Sequence, residues 1–169
     1  NKPLPKKVKK KIHVWRDWFK SFREEEKTLL KLLAKKVWQK DSNELELEEL
    51  SKDAELEPFV TDDKVNAPYS RLIALGWLSR FTKQNTIYIG FTVEGLLFYL
   101  LALYLNDNIK IDVKQIEKWQ NAESLIKKSS IDSYLIECAE KDDVELIADL
   151  IDHGEKTLEI TIPALTEYA

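Results

Sequence analysis

With 169 residues, 44% of them hydrophobic and 33% charged, the chain has apolar content enough to bury a real core and too much to stay disordered. Its formal net charge of -4 and sequence pI near 5.4 exclude a uniformly basic nucleic-acid binder, so such a role requires segregated charge. A single cysteine, Cys138, excludes an intramolecular disulfide framework and a cysteine-rich zinc site, and fits a reducing, cytoplasmic compartment.

The charge is in fact segregated. Lys2, Lys6, Lys7, Lys9, Lys10 and Lys11 open the chain with no acid among them. Residues 41–63 carry ten acids against the single Lys52. The basic start reads either as a solvated linker or as an arm for phosphate contact or nuclear import. No apolar region of signal-peptide type follows it. The most apolar run, Leu96–Leu105, falls short of the roughly 20 residues a bilayer needs, so no membrane is expected. With no methionine and Asn1 at its start, the sequence reads as a fragment of something longer.

In chain order, Trp15, Trp18, Phe19 and Phe22 fall on one helical stripe, predicting an aromatic-faced helix over 12–22. That face either packs on the core or docks a neighbouring segment. Residues 23–39 predict a strong helix carrying Leu29, Leu30, Leu33 and Val37, with Glu24–Glu26 in its first turn and lysines near its last. Asp41-Ser42-Asn43 ends it. Leu45 and Leu47 alternate with glutamates as in a short strand, and a short helix follows from Glu48. Glu57-Pro58 is expected to close that helix, because a residue before proline resists helical geometry.

A third helix is expected from Pro68 to the stop at Gly76, with Tyr69, Leu72, Ile73 and Leu75 on its buried side. Residues 77–81 and 86–91 alternate as two strands around Lys83-Gln84-Asn85, and Gly90 marks a bulge or a strand end. Thr92–Leu105 is apolar nearly all round and must be covered on several sides; the aromatic helix and the C-terminal segment are the candidates to cover it. Beyond Asn106-Asp107-Asn108 the sequence predicts a strand over 109–113, a helix over 114–126, a turn over 129–133, and helices over 134–140 and 144–153 with Gly154 as stop. The expected organisation is a tail and aromatic helix (1–22), a central domain (23–106) and a C-terminal helical segment (107–169).

No catalytic constellation is legible. His13 and His153 lie far apart without cysteine or carboxylate partners at ligand spacing, so no metal is expected. Four glycines cannot build a phosphate loop or a nucleophile elbow. The carboxylate pairs sit in acidic stretches that read as solvated, where nothing tunes a pKa for acid–base work. The expectation is a non-enzyme without cofactor.

The run Leu72, Ile73, Leu75, Gly76, Trp77, Leu78, then Phe91, Thr92, Glu94, Gly95, resembles the winged-helix superfamily over about Glu24–Leu105. The resemblance implies a mainly α fold with a small β wing, extended by a C-terminal helical segment. Many of its members bind DNA through the third helix and the wing. Carried onto this sequence, those positions are Lys64, Asn66, Ser70, Arg71, Arg80 and Lys83. Asp62, Asp63 and the acidic run before them oppose phosphate binding.

Residues 89–105 resemble the winged-helix end of signal-transducing STAND-type ATPases, with Thr92 where a histidine is usual and Phe98 where an acid precedes the tyrosine. Leu135–Gly154 is similar to an ankyrin helix pair; one repeat cannot bury its faces alone, so the first reading is a plain helical hairpin packed on the central domain, and the second the first repeat of an array. These resemblances imply a non-enzymatic regulatory or protein-interaction module of a larger switch. Its partner would be a protein or neighbouring domains of a longer chain, met through Trp15, Trp18, Phe19, Phe98 and Tyr104. A DNA-binding regulator is the alternative.

Overall fold

The computed structural model describes residues 11–61, 65–109 and 113–140. Within them the fold is mainly α with a small β wing. The elements are α1 (Lys11–Ser21), α2 (Glu24–Lys40), β1 (Leu45–Glu46), α3 (Leu47–Ser51), α4 (Glu57–Val60), α5 (Pro68–Ala74), β2 (Leu78–Lys83), β3 (Thr86–Phe91), α6 (Glu94–Asn108), α7 (Val113–Gln120) and α8 (Leu125–Glu140). A long helix, a short strand, three short helices, a hairpin and the apolar α6 follow one another from Glu24 to Asn108.

Three antiparallel strands lie in the order β1-β3-β2. Leu78 faces Phe91 and Arg80 faces Ile89 across the hairpin, while Leu45 faces Ile89 from the other side. Leu45, Leu78, Ile89 and Phe91 are all buried, so one face of the sheet closes the core. The hairpin turns in two residues, Gln84 (φ 50) and Asn85 (φ 64), the left-handed pair that matches strand twist.

α6 is the central element. It packs against α1, α2 and α8 and follows directly on β3, which accounts for its lack of a polar face. Leu96, Leu97, Tyr99, Leu100 and Leu101 join the main core with Leu29, Leu30 and Leu33 of α2. Ala102 and Leu105, near its other end, form a second core with Ile116 of α7 and Ile131, Tyr134, Leu135 and Cys138 of α8. Trp38 of α2 touches both cores and meets Trp119 edge-on at 5.0 Å. The expected cover of α6 by the aromatic helix and the C-terminal segment is thus what the fold contains.

Two acids placed on helices are buried and paired. Glu26 of α2 is 2% exposed; it accepts from the Arg23 backbone N–H at 2.9 Å and from Arg71 Nε at 2.6 Å. Glu137 of α8 is 3% exposed and accepts from Arg16 of α1 at 2.7 Å. The first pair ties α2 to α5 and the second ties α1 to α8.

Several sequence expectations need correction. Glu57-Pro58 opens a helical turn instead of closing one, because proline in a first turn lacks only an N–H that would be unbonded anyway. Residues 129–133 are not a turn but the interior of α8. Ser130 is buried and returns its hydroxyl to the Ile126 carbonyl at 2.5 Å, which reconciles a serine-rich stretch with a helix. The break lies earlier, at 121–124, where Ser124 Oγ accepts from the Lys127 N–H and caps α8. The same hydroxyl donates to Asp41, the left-handed residue (φ 54) that ends α2. Val113 starts a helix, not the end of a strand; 110–112 lie outside the described residues. The expected helix over 144–153 and its stop lie outside them too, and so does the second helix of the ankyrin-like pair. Gly90 is neither bulge nor strand end. It sits inside β3 under the Asn43 carbonyl, where a Cβ would fall 2.5 Å from that oxygen.

Candidate functional site

Two surfaces compete as the functional site: the α5–wing face and the aromatic face beside α1. On the first, α5 is short and its polar residues are few. Arg71 is a third exposed and its guanidinium is held by buried Glu26, so it braces the core instead of projecting outward. Lys83, on the wing, pairs with Glu44 at 2.9 Å, and this neighbour raises its pKa. Asn66 is exposed and Ser70 half-buried, whereas Lys64 lies outside the described residues. Arg80 is exposed and makes no ion pair among the described residues. Its charge acts on Tyr69, whose hydroxyl is buried without a hydrogen-bond partner; burial pushes that phenol up and Arg80 pulls it partly back. Ala74 and Leu75 are exposed at the helix end, and Leu75 is 56% exposed. Among the described residues the face therefore presents Arg80 as its one cation without an ion pair, beside an apolar helix end.

The acidic run does not form the repelling surface its composition implies. α2 brings a row of lysines against it: Lys35 meets Glu55 at 2.7 Å, Lys36 meets Asp53 at 2.5 Å, and Lys40 meets Glu49. Lys127 of α8 stands 3.7 Å from Asp41, and Lys52 pairs with Glu48 within its own turn. Each exposed pair is worth little alone. Together with Lys83 on Glu44 they set a lysine beside six of the ten acids of the run.

Asp53 has the strongest claim to a structural role among these acids. Besides Lys36, it accepts from the Glu55 and Leu56 N–H groups, which starts the turn into α4. Lys36 and these backbone donors hold its carboxyl below the ordinary 3.8 despite partial burial. A depressed folded value stabilises above the unfolded value and is lost as pH falls through the folded one. Asp53→Asn is therefore expected to cost roughly 1 kcal/mol at neutral pH, and to shrink the stability lost as pH falls below the ordinary 3.8. Denaturant titrations at neutral and acid pH check this; an unchanged acid slope would refute it.

The aromatic face is built on α1. Trp18 is 51% exposed and lies 5.4 Å from Trp77, whose ring also meets Phe22 edge-on at 5.1 Å. Trp77 stands two residues after exposed Leu75, across the left-handed Gly76 (φ 75). Of the other residues expected to dock a partner, Phe19 is 8% exposed and packs edge-on with Phe22 and Tyr99, so it belongs to the core and not to a surface. The remaining three are half-buried. Trp15 lies over Gly95 and Phe98 packs on the main core, while Tyr104 packs on the second. Helical spacing identified the stripe; which member protrudes depends on how α1 tilts onto α6, and periodicity does not carry that. The partly buried Trp77 was legible only as a strand residue.

Among the described residues, no group of histidine, cysteine and carboxylates could hold a metal, and no helix is long and apolar enough to cross a membrane. No family model, curated protein or solved structure matches the chain.

Proposed function

We propose that this chain is a regulatory, protein-interaction winged-helix module without enzymatic activity of its own, set within a larger signalling ATPase. The observation that carries the proposal is the bond from Arg71 to buried Glu26 at 2.6 Å. It withdraws the principal cation of the third helix from any phosphate, while Trp18 and Leu75 keep apolar surface in water. Aromatic anchors beside an apolar rim suit a protein partner better than a polyanion.

α6 supplies a route for regulation in this reading. It is the wall shared by the two cores, so a partner that shifts α1 or α8 acts on the helix that follows the wing. The reading frame encoding this chain is expected to place a P-loop upstream. A frame without a nucleotide-binding domain would remove the ATPase part of the proposal.

A DNA-binding regulator is the second reading. Exposed Arg80, with Asn66 and the amides of Gln84 and Asn85 at the wing tip, favours it. Salt-dependent duplex binding separates the two.

A further inference from the structure

α1 and α2 meet at Phe22-Arg23, where nothing in the local sequence ends a helix. Residues 18–28 contain no glycine, proline, asparagine or aspartate. The ends of α2 and α5 lie beside residues suited to stopping one, since Asp41 and Gly76 both take a left-handed φ. At Arg23 the backbone is only extended (φ -65, ψ 155). The inward stripe also runs through the bend in phase. Trp15, Phe19 and Phe22 continue as Leu29, Leu33 and Val37, and Glu26 fills the step between Phe22 and Leu29. Local sequence thus favours one helix from Lys11 to Lys40.

What bends it is tertiary. α1 and α2 both pack on α6, whose 15 residues span about 22 Å. A single helix from Lys11 to Lys40 would be about 45 Å long and cannot lay both halves along α6. Trp15 holds α1 over Gly95, Phe19 meets Tyr99 edge-on at 5.9 Å, and Arg16 reaches Glu137 of α8 at 2.7 Å. Glu26 then latches the bend. One carboxylate oxygen accepts the Arg23 N–H at 2.9 Å, a donor that the Phe19 carbonyl would take in a continuous helix. The other oxygen accepts from Arg71 Nε at 2.6 Å.

We infer that this bend is a two-position switch. In one position α1 is seated on α6 and α8; in the other α1 and α2 form one helix, with the aromatic stripe free for a partner. Arg71 sets the latch. Once its guanidinium leaves, a carboxylate only 2% exposed has no cation, and as Glu26 turns out to water it gives up the Arg23 N–H. The bent form dominates in the free chain, because the straight one gives up the burial of Phe19. A partner that covers the stripe shifts the balance. The switch belongs to this chain alone and does not depend on the proposed ATPase setting.

The test puts spin labels at Asp17→Cys and Gln39→Cys of the full chain, both exposed positions, and reads their separation by pulsed electron resonance; Cys138 is buried and escapes labelling. A straight helix sets the two labelled positions about 33 Å apart. The labelled parent is expected to show one shorter distance. Arg71→Ala should raise the share of the long form about tenfold without loss of helix content by circular dichroism. Adding Glu26→Gln should return most of that share, because no unpaired charge is then buried while an acceptor for Arg23 remains. Adding Arg23→Pro instead should abolish it, since proline adopts φ -65 and cannot continue a helix. Gly95→Ala, whose methyl would run into the Trp15 ring, should raise the long form with the latch untouched. An unchanged single distance in both Arg71→Ala and Gly95→Ala overturns the inference. So does a long component that persists with Arg23→Pro or comes with lost helix content, because α1 has then frayed and not joined α2.

Discussion

Glu26→Ala is expected to destabilise the chain by about 2–4 kcal/mol in chemical denaturation, more than any surface acid. Two donors lose their acceptor at once. The Arg23 N–H becomes an unsatisfied group at the start of α2, and Arg71 keeps a charge whose partner is gone. Arg71 is a third exposed, so it recovers some hydration, and the loss stays below that of a fully buried ion pair. Arg71→Ala alone should cost less, and the double variant should cost less than the two singles summed, by about 1–2 kcal/mol. Additive losses would mean that the two residues do not act as a pair.

Gly90→Ala is the second large effect, and its sign is diagnostic. In an ordinary strand, replacing glycine by alanine stabilises by roughly 0.5–1 kcal/mol. Here the new methyl would meet the Asn43 backbone oxygen at 2.5 Å. The 42–44 segment must move away, and the two bonds from Asn43 to Phe91 move with it. A loss of about 2–3 kcal/mol is expected. In an Asn43→Ala background those bonds are already gone, so the same change should cost less. A neutral or stabilising Gly90→Ala would show that the close approach is not needed.

Much of the architecture was legible because it rests on local signals. The leucines of α2, the stop at Gly76, the strand alternation around Gln84-Asn85 and the uniformly apolar α6 all state their roles within a few residues. The errors share a different cause. Ser129-Ser130 reads as a turn until Ser130 is seen to bond back to Ile126. Glu26 reads as a dipole-matching surface acid, yet its partner Arg71 lies 45 positions away. The acids of residues 41–63 read as one repulsive face, but Asp41, Glu49, Asp53 and Glu55 each meet a lysine from α2 or α8. Asn43 read as a mere break, and it serves as the sheet's substitute strand. In each case the deciding contact is long-range or depends on which side of a helix faces inward.

The same limit governed the candidate sites. Pattern alone places the third-helix and wing positions, and it does not carry the engagement of Arg71 by Glu26 and of Lys83 by Glu44. The aromatic stripe was visible, but only packing distinguishes protruding Trp18 from buried Phe19.

The central claim is that the α5–wing face does not serve DNA. It is tested most directly by fluorescence anisotropy of a labelled duplex titrated with the full chain at about 50 mM and about 200 mM salt. No saturable binding at micromolar protein is expected in either condition. Micromolar binding at low salt that weakens steeply at high salt, with a salt slope reduced by about one on Arg80→Ala, would contradict it.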